Sequence, residues 1–108
     1  MEKNIKKIAA KRLEIALDNN ILGIQIQDVA NAYKDIKYGG VQQWMQRGVV
    51  PRPRIKILPR LFKVSPKIFI DPDLPDELII KIFKDPDQEE KLINEFNLPK
   101  SLIIRMES

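Results

Sequence analysis

The apolar residues of this chain recur at three- and four-residue spacing, and Asn, Gly or Pro interrupts that spacing every few turns, so the chain can build only short helices. Helices of two or three turns are marginal alone in water and become stable by packing their apolar sides together. The pattern therefore predicts a compact, mainly α bundle. The eight prolines, all beyond residue 50, reinforce the reading of short elements with frequent stops.

Five helices are expected in the first seventy residues. From Asn4 to Asp18, Ile5, Ile8, Ala9, Leu13, Ala16 and Leu17 form one apolar side, with Lys6, Lys7, Lys11, Arg12 and Glu14 largely off it. Asn19, Asn20 and Gly23 stop that helix. A second stretch, about Gln25 to Tyr33, puts Ile26, Val29, Ala30 and Tyr33 on one side. A third, Tyr38 to Arg47, ends at Gly48, with Pro51 and Pro53 preventing continuation. Beyond Arg54, Ile55, Leu58, Leu61 and Phe62 fit a fourth helix that begins just before Pro59 or is kinked by it. Ser65-Pro66 reads as an N-cap and first helical residue of a fifth helix through Ile70.

Asp71-Pro72-Asp73-Leu74-Pro75 marks the best internal boundary, separating a domain of residues 1–70 from an acidic extension of residues 71–108. In the extension, Leu78 to Phe83 fits either a helix or a buried strand, because a short apolar run does not separate the two. Asp85-Pro86-Asp87 opens a helix containing Leu92, Ile93 and Phe96, its acids placed where the macrodipole favours them. Leu102 to Ile104 is compatible with a strand.

Composition narrows the function. The chain holds no Cys and no His, which excludes disulfides, thiolate or imidazole metal sites and the usual nucleophile–base systems. Its fifteen acidic residues form no recognisable catalytic pair, so neither an enzyme nor a cofactor, metal or small-molecule ligand is expected. No apolar run approaches the roughly 18 residues that span a bilayer, and a cytoplasmic protein without membrane partners is expected. Residues 1–70 carry fourteen Lys or Arg against five Asp or Glu, a net of +9, whereas residues 71–108 carry five against ten, a net of −5. A basic body with an acidic tail points to a polyanionic partner for the body.

The third stretch suits such a partner. Off its apolar residues Val41, Trp44 and Met45 it shows Tyr38, Gly39, Gly40, Gln42, Gln43, Gln46 and Arg47, with no acid. Glutamine can pair bidentately with adenine N6 and N7 in the major groove, and Arg or Lys reaches guanine or phosphate. Two short helices joined by the turn Lys34-Asp35-Ile36-Lys37, the second amide-rich and followed by Arg52 and Arg54, are the parts of a helix-turn-helix.

Two runs, Gln27-Asp28-Val29-Ala30-Asn31-Ala32-Tyr33 and, after Ile36, Val41-Gln42-Gln43-Trp44-Met45-Gln46-Arg47-Gly48-Val49-Val50-Pro51, resemble the Xre family of regulators, in particular phage repressor N-terminal domains and Cro-like proteins. Leu61-Phe62-Lys63-Val64-Ser65-Pro66 is similar to the family's junction between fourth and fifth helices, and the resemblance spans about residues 4–70. The turn departs from the pattern: Lys34-Asp35 stands where the family has glycine, the turn is one residue longer, and Lys37 replaces the usual polar residue before the recognition helix. Gly39-Gly40 also weakens the first turn of the third helix, at roughly 1 kcal/mol each; close approach to DNA or a simple turn would explain the pair equally well.

The resemblance implies a five-helix repressor-like bundle with a short C-terminal extension, and a sequence-specific transcriptional repressor that binds a palindromic double-stranded operator as a homodimer. It implies base contacts from Tyr38, Gly39, Gln42, Gln43 and Gln46, and phosphate contacts from Gln25, Gln27, Lys37, Arg47, Arg52 and Arg54. Residues from 76 onward would supply the dimer contact, by exchanging a strand such as Leu78 to Phe83 or Leu102 to Arg105 or by helix packing, or would fold back on their own domain. The alternative function is an adaptor or antitoxin that uses the same helical fold to engage a protein. RNA is a poorer fit, because the amide-rich helix suits a B-form major groove and no aromatic platform is evident.

Overall fold

The computed structural model describes residues 4–97, and within them the chain is mainly helical with no β-strand. Helix α1 (Ile5–Asn19) opens on Asn4, whose side-chain oxygen accepts the Lys7 amide at 3.3 Å. Its buried side contains Ala9, Leu13 and Ala16, as the periodicity predicts, and also Ala10, outside the predicted set, and Arg12, which the periodicity places on the polar side. Arg12 follows Ala9 by three residues and precedes Ala16 by four, so it lies on the inward row, where small neighbours leave room for its side chain. Past the helix end, Asn20 donates to the carbonyls of Ala16 and Ile24 and accepts the Ile24 amide, holding a tight loop in which Gly23 adopts φ +73°.

Helix α2 (Ile26–Asn31) has six residues rather than the nine expected. The chain tightens at Ala32 and Tyr33, whose amides reach back only three residues to Val29 and Ala30, and the turn runs from residue 32 to 37. Helix α3 (Tyr38–Arg47) has the bounds read from sequence, and Gly48 closes it at φ +70° while the Val49 amide also donates to the Trp44 carbonyl.

The expected fourth helix is two pieces, α4 (Arg52–Ile55) and α5 (Ile57–Phe62). Pro53 and Pro59 each fall within the first turn of their piece, where a missing amide donor costs no intrahelical bond; α5 begins just before Pro59, as one of the two readings has it, and no kinked longer helix forms. In the next element, α6 (Lys67–Ile70), Ser65 is not the side-chain cap predicted. Its amide and hydroxyl both donate to the Glu89 carboxylate, each at 2.7 Å, and this long-range partner outcompetes the local one.

Leu78 to Phe83 resolves as helix: α7 (Asp76–Lys84) buries Leu78, Ile79, Ile82 and Phe83. Spacing of i, i+1, i+4 and i+5 makes one helical side, whereas a strand would have split these residues between two faces. A 3-10 turn (Pro86–Gln88) leads into α8 (Glu89–Asn97). The strand expected near Leu102 to Ile104, and its exchange through Arg105, lie outside the described residues.

One hydrophobic cluster unites these elements, from Ala9 in α1 to Ile93 in α8. Helix α1 is its axis, packing against α3, α4, α6 and α7. Phe62, Phe69 and Phe83, from α5, α6 and α7, form a triangle with ring centroids 5.6–5.8 Å apart, so residues of the acidic extension complete the centre of the core.

Candidate nucleic-acid interface

Inward-facing residues fix the angle between α2 and α3. Val29 and Ala30 of α2 and Val41 and Trp44 of α3 are buried, with Ile36 of the turn packed against them. Tyr33 meets Trp44 edge to face at 5.5 Å and 85°, and its hydroxyl donates to the Arg54 carbonyl. The Arg54 guanidinium lies 5.7 Å from the centre of the Tyr33 ring and binds both oxygens of Asp35. Asp35, in the turn, and Arg54, in α4, thus tie the two helices to the segment that follows.

These contacts set the local proton equilibria. Burial pushes the Tyr33 phenol up to about 12, with the Arg54 cation opposing part of that rise. Hydrogen bonds from Arg54 hold Asp35 below the usual carboxylate range, and the same pairing raises Arg54 above its ordinary value. No local pattern announced this knot, because its partners lie 19 and 21 residues apart.

With its inner side occupied, α3 turns Tyr38, Gly39, Gln42, Gln43, Gln46 and Arg47 to solvent. Residues 38, 42 and 46 and residues 39 and 43 form adjacent rows, so all five base-reading candidates share one side of one helix. The three glutamine amides have no hydrogen-bond partner among the described residues, which leaves both donor and acceptor free. The two glycines differ. A Cβ on Gly40 would stand 3.2 Å from Ile36 Cγ2, so packing of the turn explains that residue; a Cβ on Gly39 would meet nothing within 4 Å, so the fold does not require glycine there.

The phosphate candidates divide. Lys37 precedes α3 with its side chain exposed, Arg47 ends α3, and exposed Arg52 begins α4. Arg54 is half-buried and engaged by Asp35. Gln25 and Gln27 are exposed at the start of α2, beside Tyr38 in a shallow depression also lined by Leu17 and Met45. There the Gln25 backbone N–H donates to the Asp28 carboxylate at 2.8 Å and the Gln27 side chain donates to Asn31 at 2.9 Å. The Asp28 carboxylate already complements the N-terminal end of α2.

Among the described residues no cluster of His, Cys, Asp or Glu could hold a metal, and no helix is long and apolar enough to cross a membrane. Comparison with protein-family models, with curated proteins and with solved structures finds no match to this chain.

Proposed function

We propose that this chain is a sequence-selective regulator that reads double-stranded DNA through α3, in the manner of the Xre helix-turn-helix group it resembles. The observation behind the proposal is the exposed, acid-free row of Tyr38, Gly39, Gln42, Gln43 and Gln46 on a helix whose opposite side is locked by Val41 and Trp44. An exposed amide on a rigid helix retains its bonding capacity and its position, which is what reading a base edge needs. Lys37, Arg47 and Arg52 flank the row and would hold the backbone without reading sequence. Gln25 and Gln27 would contribute at the edge of the site. Arg54 would contribute through the knot with Asp35 and Tyr33, by setting where α4 begins.

In this reading the protein works on DNA in the cytoplasm, as a repressor without catalytic activity or cofactor. Two copies would bind a palindromic operator with half-sites about 34 Å apart, matching one turn of B-DNA.

Selection of random duplexes at near-physiological salt tests the proposal, and an enriched inverted repeat is the expected outcome. Gln43→Ala should then relax base preference at one operator position by about 1–3 kcal/mol, while Arg52→Ala weakens all sequences alike and lowers the salt slope by about 1. A pool without enrichment from a folded protein would replace this reading with the adaptor or antitoxin one. Equal loss of preference from both substitutions would overturn the division of roles.

A further inference from the structure

Cations recur at every fourth residue on the outer side of the α4–α5 segment. Arg52, Lys56 and Arg60 are exposed, while Ile55, Leu58, Pro59 and Phe62 occupy the opposite, buried side. Lys56 joins the two helices in right-handed helical conformation (φ −66°, ψ −19°), so the four-residue register passes through the joint. Beyond the helical register, Lys63 at the end of α5 and Lys67 at the start of α6 add two more exposed cations. Adjacent members on the helical segment are separated by about 6 Å of axis, close enough to engage one phosphate strand together.

Their own segment supplies no counter-charge. Residues 36–70 contain eight Lys or Arg and no Asp or Glu. Among the described residues the ion pairs take up Arg54 and Lys11 only. From α8, Glu89 bonds Ser65 and brings one negative charge to this region, against the five exposed cations Arg52, Lys56, Arg60, Lys63 and Lys67.

Lys63 supplies an independent observation. It closes α5 in left-handed conformation (φ 60°, ψ 39°), and among the described residues no other non-glycine has positive φ. Gly48 performs the same closure for α3, where the absence of Cβ removes the steric cost. Lysine at this position gives up stability that glycine would return, and its exposed side chain makes no contact that would offset the cost within the described residues.

We propose that Lys56, Arg60, Lys63 and Lys67 form a second DNA-backbone ridge, separate from α3, that grips duplex phosphates. The ridge extends the proposed function and rests on it for the choice of DNA as the polyanion. Among the described residues the exposed large apolar ones are Ile21, Leu22, Tyr38 and Phe96, none of them on the ridge. It therefore offers no aromatic surface for stacking unpaired bases and no apolar side for burial in a lipid headgroup layer.

The test compares the wild-type chain, the ridge variant Lys56→Gln/Arg60→Gln/Lys63→Gly/Lys67→Gln, and the α3 variant Gln42→Ala/Gln43→Ala. Binding of each to a random-sequence duplex of about 30 base pairs is followed by fluorescence anisotropy between about 50 and 200 mM salt, where the logarithmic slope counts phosphate contacts at about 0.9 each. The ridge variant should lose about 3 to 4 from the slope while the α3 variant keeps it. Repetition on a duplex of about 12 base pairs separates two sources of the phosphates: the difference shrinks if the ridge grips flanking DNA of the same molecule, and persists if it grips a second duplex. Equal slopes for wild type and ridge variant overturn the proposal. A slope that falls in the ridge variant, in a protein that selects no sequence, keeps the ridge and removes the operator-reading function; a wild-type chain that binds no duplex at low salt removes both. Lys63→Gly alone should raise the thermal midpoint and lower the slope by about 1. An unchanged slope in that variant overturns the place of Lys63 in the ridge.

Discussion

Arg12 is 4% exposed, yet its guanidinium donates to the carbonyls of Ile68, Asp71 and Leu74 at 2.9–3.0 Å. Burial lowers its proton affinity and the charges of Asp76 and Asp71 restore part of it, while its Nε has no hydrogen-bond partner. One side chain of α1 therefore satisfies the end of α6 and the following turn, a task that backbone alone leaves undone. Tyr33 makes a measurable prediction at the same scale. Its folded pKa lies above the unfolded value near 10, so its contribution is fully present below pH 10 and is lost as pH rises toward about 12. Absorbance titration should show a phenolate step near pH 12 in the native protein that disappears in Tyr33→Phe; a wild-type chain with no such late step would contradict the burial argument. Gly39→Ala should raise stability by about 0.5–1 kcal/mol in urea unfolding, since the site is open. The same substitution should weaken operator binding if DNA presses on α3 there, and unchanged binding would leave Gly39 without a functional reason.

Short elements hold their shape through long-range partners. Helix α6 has four residues, and its ends are served by Arg12 from α1 and, through Ser65, by Glu89 from α8. The Ser65–Glu89 bonds also tether α8, of which only Ile93 is buried. Removing the carboxylate leaves the Ser65 amide and hydroxyl without their charged acceptor, at a cost of about 1–3 kcal/mol. Glu89→Ala should therefore lower hydrogen-exchange protection along α8 first, with α1 and α3 little changed. Uniform loss across all helices would instead mean that α8 opens only with the whole protein.

At the scale of the molecule, charge and packing divide the chain differently. The charge boundary falls at residue 71, with a net of +9 before it and −5 after it. The hydrophobic core crosses that boundary, because Ile79, Ile82 and Phe83 are fully buried against α1 and the Phe62–Phe69 pair. A chain ended after Ile70 would expose those aromatic faces and leave Arg12 without the Leu74 carbonyl. Its thermal melt by circular dichroism should show no cooperative transition, whereas residues 1–97 should melt as one unit; a cooperative melt of residues 1–70 would make the extension dispensable. The acids of α7 and α8 are not set apart from the basic body: Asp76 pairs with Lys11 of α1, and Glu89 bonds Ser65.

Local pattern alone determined that the first seventy residues are helical, the bounds of α3, those of α1 to within one residue, and which residues of α3 point outward. The apolar residues repeat with the period of the helix, and Asn4 and Gly48 are chemically suited to its ends. The row Tyr38, Gly39, Gln42, Gln43 and Gln46 was legible for that reason, and so was the exposure of Lys37, Arg47 and Arg52. Tertiary structure decided the rest. It shortened α2 so that Tyr33 could reach Trp44 and Arg54, committed Arg54 to Asp35, drew Arg12 inward, moved Ser65 from capping to Glu89, and made a core helix of Leu78 to Phe83. Each of these depends on a partner 11 to 62 residues away. A periodicity of three or four residues carries no information at that range, and the free energy of burying or pairing a side chain exceeds the preferences that local sequence encodes.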